Sequence, residues 1–138
     1  MRYILLAVFL LAAPIGAASA QPIGPHRDAR TRSPEELKKD AADLKEALKN
    51  QPNNVELYIR LGFTYARLKE ADEALQAFEN VVRLHHKKTI AYYMLGLIYE
   101  KQGLKDKAIA AWKACLDNAS EPRMRETARK HLHHLAIQ

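Results

Sequence analysis

The sequence predicts an all-α array of about six helices, stacked as antiparallel pairs. Three observations carry that prediction. First, two stretches repeat each other thirty-four residues apart: Tyr58-Ile-Arg-Leu61-Gly62-Phe-Thr-Tyr65 with Ala74 and Phe78, then Tyr92-Tyr-Met-Leu95-Gly96-Leu-Ile-Tyr99 with Ala108 and Trp112. A fixed period of that length marks a stack of like helical units rather than one globular enzyme core. Second, the apolar residues between turn signals recur at helical spacing, and no segment calls for a strand. Third, small and large residues alternate at matching places in both stretches, as closely packed helices require.

The elements follow in order. Residues 1–20 read as a cleaved secretory signal: Arg2 is the positive start, Tyr3 to Ala13 is apolar but too short to span a bilayer, and Ala18-Ser19-Ala20 offers small residues to a signal peptidase, with cleavage after Ala20. Gln21 is not Cys, so nothing there takes a lipid, and the short signal points to the periplasm or secretion. Residues 21–32 form a linker, expected to be disordered, in which Pro22, Gly24 and Pro25 block regular structure and Arg27, Arg30 and Arg32 surround no apolar stripe. No second long apolar stretch follows, so no integral membrane span is expected after cleavage.

Ser33, Pro34 and Glu36 form a helix start, with Ser33 as cap and Glu36 completing a capping box. Leu37, Ala41, Leu44, Ala47 and Leu48 then make one stripe to about Asn50, and Pro52 closes it. Shifted by one period, Leu44 falls with Phe78 and Trp112, and Ala47 with Val81 and Cys115. This helix therefore matches the second half of a repeat whose first half is missing. The first full repeat spans about 55–88, capped by Asn53 with Glu56, its helices ending near Leu68 and running from about Ala71 to Leu84. The second spans about 89–122, with Gly103 as a left-handed stop between its helices. A last helix from about Arg123 to Ala136 carries Met124, Ala128, Leu132 and Leu135 among charged residues and His, the pattern of a cap with one face on the stack and the other in water.

Gly62 and Gly96 sit inside helices, where glycine costs roughly 1 kcal/mol against alanine. That cost is offset if the neighbouring helix packs on their backbone, with Ala74 and Ala108 doing the same from the other side. The six aromatics Tyr58, Tyr65, Phe78, Tyr92, Tyr99 and Trp112 fill the remaining space, each worth about 2–3 kcal/mol in burial.

These landmarks resemble the tetratricopeptide repeat family, whose pattern is aromatic-x2-Leu-Gly-x2-Tyr followed by Ala-x3-aromatic. The resemblance implies a right-handed α-solenoid of two full repeats, a preceding half-repeat helix and a C-terminal capping helix. It implies binding of other proteins, with the first helix of each repeat facing the concave side. Carried over by register, the concave row is Glu56, Ile59, Arg60, Phe63, Ala66 and Arg67, then Ile90, Tyr93, Met94, Leu97, Glu100 and Lys101. If exposed, the apolar members form a patch rimmed by Arg60, Arg67 and Lys101, which marks a contact site. The candidate groove is thus Ile59, Arg60, Phe63, Arg67, Ile90, Tyr93, Met94, Leu97 and Lys101, accepting an apolar segment of another protein with acidic neighbours. Two other readings use the same patch: coverage by helix 33–50 or the linker, and self-association into a homo-oligomer. Ile59 and Phe63 stand where chaperone-binding members of the family carry Lys and Asn, which argues against their carboxylate clamp.

The formal net charge of +6 falls by one when Arg2 is cleaved away. Outside the cytosol this suggests anionic protein, lipid or cell-wall surfaces rather than nucleic acid, although a solvated surface that happens to be basic is the first expectation. Cys115 is the single cysteine, so no internal disulfide forms, and its place in the repeat is that of a small apolar filler. His131 and His134 share a helix face, but nothing nearby completes a metal set and the histidines are expected to face water. With no phosphate loop, nucleophile elbow or metal-ligand spacing, no cofactor and no enzyme activity are expected. The function expected is that of an envelope adaptor, joined to one subunit of an envelope or secretion assembly. The alternatives are a self-assembling structural subunit and a basic binder of anionic lipid or cell-wall polymer.

Overall fold

The structure, a computed structural model, describes residues 32–137. The signal segment, its cleavage point and the linker up to residue 31 lie outside the described residues. Six helices follow one another: α1 (Pro34–Asn50), α2 (Val55–Leu68), α3 (Ala71–Leu84), α4 (Thr89–Lys101), α5 (Lys105–Asn118) and α6 (Pro122–Ala136). No strand occurs among the described residues. Extensive packing joins each helix to its neighbour in the chain, α1 on α2 through to α5 on α6. Packing that is heaviest between successive elements is what an α-solenoid requires.

Local chemistry sets the helix ends. At α1 the Ser33 hydroxyl accepts from the Glu36 amide at 3.2 Å, and the Glu36 carboxylate accepts from the Ser33 amide at 2.8 Å. This is the reciprocal box that the sequence predicts. Just before it, Arg32 pairs with Asp40. At α2 the cap is Asn54, not Asn53. Asn54 Oδ1 accepts from the amides of Glu56 and Leu57 at 3.1 and 3.2 Å. Asn53 lies one residue too early in the turn to reach those orphan donors. At α6, Pro122 occupies the first turn, where its missing N–H costs nothing.

The three joints that follow α1, α3 and α5 close alike. Gln51, His85 and Ala119 each donate a backbone N–H to the residue four before, Ala47, Val81 and Cys115, at 3.0, 2.8 and 2.9 Å. Those positions are one period apart, so α1 ends as α3 and α5 do. The turns inside the two full repeats are also copies. Lys69 donates to Ala66 O and Glu70 to Tyr65 O, and Gly103 donates to Glu100 O and Leu104 to Tyr99 O. Both turns need a left-handed residue: Gly103 has φ +72° and Lys69 has φ +63°. A non-glycine residue pays about 1–2 kcal/mol for that conformation, and only the first repeat bears the cost.

The core runs along the stack. Phe78, Val81, Trp112 and Cys115 are fully buried, and Ala74 and Ala108 are fully enclosed beside them. A smaller cluster, Ala41, Leu44 and Leu48 with Leu61 and Ala77, fastens α1 to the first repeat. Gly62 and Gly96 lie against aromatic rings of the paired helix. A Cβ on Gly62 would stand 2.7 Å from the Phe78 ring, and one on Gly96 2.6 Å from the Trp112 indole.

Burial also perturbs titratable groups, Cys115 and Tyr99 most of all. The Cys115 thiol is pushed up from 9.0 to about 11 by burial. The Tyr99 hydroxyl is pushed up from 10.0 to about 12, by burial first and then by its hydrogen bond to Glu79 and that carboxylate's charge. Tyr99 Oη donates to Glu79 Oε1 at 2.9 Å. Both folded values exceed the unfolded ones. The stability these groups contribute is therefore fully present below pH 9 and is lost as pH rises through about 11 and 12. The urea midpoint is expected to fall steadily above pH 9, and Cys115 is expected to resist thiol reagents in the native state at neutral pH. A midpoint unchanged up to pH 12, or rapid labelling of the folded chain, would contradict the burial.

Candidate functional site

The row carried by α2 and α4 has a different surface from the one its register predicts. Ile59 is not exposed. It is 8% accessible and belongs to the main core with Phe78, Ala91 and Leu95. The next repeat closes over it, which the pattern of α2 alone cannot reveal. Phe63 is the row's exposed large apolar residue, 36% accessible, and its ring meets Phe78 edge-on at 5.4 Å. Ile90, Tyr93, Met94 and Leu97 are half-buried, each leaning on the core while keeping part of its surface outside. Arg60, Arg67 and Lys101 are exposed, and no described carboxylate pairs with any of them. The structure therefore leaves Phe63 exposed and Met94 and Leu97 half-buried on the two helices that also carry the exposed Arg60, Arg67 and Lys101, and removes Ile59 from the surface. The apolar patch is smaller than a fully exposed row would make it.

Two acidic members of the row are already engaged. Glu56 accepts from Lys88 Nζ at 2.8 Å. Glu100 holds the far end: Trp112 Nε1–H donates to its Oε1 at 2.9 Å, and His131 Nδ1 lies 2.9 Å from both carboxylate oxygens. A carboxylate only accepts, so the imidazole donates through Nδ1–H. The same imidazole stacks on the Trp112 indole, centroids 4.2 Å apart and planes 14° from parallel. His131 thus departs from the expectation that the histidines face water. It falls three residues after Ala128 and four before Leu135, inside the stripe α6 buries, and that spacing was the available signal. His133 and His134 are exposed.

α1 does not cover this row. Its buried stripe meets Leu61 and Ala77, while Arg60, Phe63 and Arg67 stay exposed. At the end of the row where α2 and α4 finish, a cleft of about 140 Å³ opens between the two repeats. Ala66, Ala71, Ala74, Leu97 and Ile98 line it, with Lys69 and Lys101.

Two larger clefts, each about 410 Å³, were not anticipated from the sequence. They lie beside the second helices of the repeats and are copies of one another: Tyr58, Leu61, Tyr65 and Ala77 in one, Tyr92, Leu95, Tyr99 and Ala111 in the other. Their charges are exchanged, since Lys45 and Glu73 of the first correspond to Glu79 and Lys107 of the second. Glu79 is occupied by Tyr99, and Lys107 Nζ sits 5.6 Å from the Tyr99 ring centroid. The signal was present as charge reversal at equivalent positions, but packing landmarks do not report it.

Among the described residues no group of three or more His, Cys, Asp or Glu is placed to hold a metal ion. No described helix is long and apolar enough to cross a membrane. Cys115 is fully buried.

Family comparisons agree with the geometry. One model described as tetratricopeptide repeat matches residues 44–76, and a second matches residues 70–121. Together they reach from α1 to the end of the second full repeat, more than half of the chain. In a search of curated proteins, nothing matches. Repeats of this kind support a protein–protein interaction adaptor in general, with protein partners, and they generally serve as non-enzymatic scaffolds. With six helices stacked in sequence, two periods in register and these matches over them, the chain belongs to the tetratricopeptide repeat family.

Proposed function

We propose that the protein is an exported adaptor of the cell envelope that holds a segment of a partner protein along the α2–α4 row. The supporting observation is that α2 and α4 carry exposed Phe63 and half-buried Met94 and Leu97 along with exposed Arg60, Arg67 and Lys101, which pair with no described carboxylate. Apolar surface supplies the affinity, and the cations select a segment with acidic neighbours. The signal-like residues 1–20 support export to the periplasm or beyond. With two full repeats the row is short, so the interface is at most of standard size and affinity is about micromolar, unless several copies act together.

The test is capture of partners from envelope extract by the wild-type chain and by Phe63→Glu/Arg60→Glu. Both positions are exposed, so circular dichroism is expected to be unchanged. The variant is expected to lose the specific partner. If both baits retain the same proteins while the variant remains folded, the row is not the binding surface.

A further inference from the structure

The strained turn at Lys69 points to a use for its side chain. Gly103 occupies the equivalent turn of the second repeat with the same hydrogen bonds and no steric cost, yet the first repeat places lysine at φ +63°. A non-glycine residue in the left-handed region is held there by its surroundings and is found at ligand-contacting sites. Lys69 lines the cleft of about 140 Å³ between the repeats, as does Lys101 from the last turn of α4. Both lysines are exposed, and neither ammonium pairs with a described carboxylate. The walls between them are Ala66, Ala71 and Leu97, with fully buried Ala74 at the base. An apolar space of roughly 150 Å³ takes a group the size of benzene, so this one holds a single aliphatic side chain. Two uncompensated cations beside an apolar slot for one side chain define a complementary ligand: an aliphatic residue flanked by carboxylates.

We infer that this cleft is the specificity pocket of the row, taking a leucine-like side chain of a partner segment whose neighbouring Asp or Glu side chains pair with Lys69 and Lys101. The inference rests on the adaptor reading above and names the chemistry of its partner. Charge complementarity selects this occupant over the chain's own segment 27–32, in which Arg27, Arg30 and Arg32 outweigh the single Asp28 and the two lysines would repel the net positive charge.

The experiment is fluorescence anisotropy of the full chain with three labelled twelve-residue peptides. One has leucine flanked by glutamates, one has serine in place of leucine, and one has lysines in place of the glutamates. The first is expected to bind with a Kd of about 10 μM, weakening with salt, and the others at least tenfold more weakly. Lys101→Glu and Lys69→Glu are expected to cost tenfold or more. Ala66→Leu, which fills the slot without changing charge, is expected to abolish binding. Lys113→Glu, the same charge change on α5, is expected to stay within twofold. Lys69→Gly is expected to raise Tm by relieving the turn and yet weaken the peptide, a pairing that a merely structural lysine would not give. Equal binding of all three peptides, or wild-type binding by Ala66→Leu and Lys101→Glu, overturns the inference. So does concentration-dependent dimerisation in light scattering that Ala66→Leu abolishes, because the occupant is then a second copy. If these cleft variants capture the partner normally while Phe63→Glu/Arg60→Glu does not, the adaptor reading stands and only the pocket assignment falls.

Discussion

Trp112→Ala is expected to destabilise the protein by about 3–5 kcal/mol, the range for truncating a buried aromatic. Four neighbours hold the indole. Gly96 approaches one part of the ring, Tyr93 meets it edge-on at 5.3 Å, His131 stacks on it, and Glu100 accepts its N–H. None of these can collapse into the space without breaking another contact, so the cavity term stays large. Glu100 also loses a donor, which adds desolvation cost for a partly buried carboxylate. Urea unfolding monitored by circular dichroism measures the loss. Hydrogen exchange gives a second readout, because α6 is tied to the second repeat partly through the His131 stack. Its amides are expected to exchange faster than those of α2 and α3. A cost below about 1.5 kcal/mol, or uniform exchange across all six helices, would show that the indole is not the keystone of that joint.

Gly96→Ala is expected to cost about 1–3 kcal/mol, with Gly62→Ala in the same direction. Alanine improves intrinsic helix propensity by about 1 kcal/mol, so an open glycine would become more stable on substitution. These glycines are not open. The new methyl would stand 2.6, 2.8 and 3.0 Å from three Trp112 ring atoms, and 2.7, 2.8 and 2.9 Å from three Phe78 ring atoms. Something must move at each site. The indole is pinned by its hydrogen bond and two ring contacts, whereas the phenyl carries a single ring contact, so the second repeat is expected to suffer more. The double variant Gly96→Ala/Trp112→Ala separates overpacking from any other cause, since removal of the indole leaves room for the methyl. Its cost is expected to fall short of the sum of the two single costs by at least about 1 kcal/mol. Thermal or urea unfolding of the set decides the matter. A Gly96→Ala protein more stable than wild type would refute the close approach.

Both expectations join sequence to structure at the same points. Thirty-four-residue spacing matches Gly62 to Gly96 and Phe78 to Trp112 before any coordinate is known and implies close helix packing at the glycines, while the structure shows that the ring of each repeat's own second helix is what fills that approach. Helix ends were legible for the same local reason. The Ser33 box and the left-handed Gly103 are interactions within a few residues of the chain. Where two candidates stand side by side, the sequence reading takes Asn53, and the reach to the next amides puts the cap at Asn54 instead.

By itself, then, the sequence determined the number of helices, their order and the faces each offers to its immediate partner. Only the tertiary structure decided which surfaces remain outside. Ile59 occupies a row position and is nevertheless buried, because the following repeat covers it. His131 sits among charged residues and is nevertheless a ring contact, because α6 delivers it to Trp112 and Glu100. Lys101 is a row position along the chain and Lys69 is not, yet the two line one cleft between repeats. The physical reason is common to all three. Periodicity encodes the burial of one helix against its own pair, while exposure depends on how successive pairs are stacked, and that stacking depends on side-chain volumes from elements far apart in sequence.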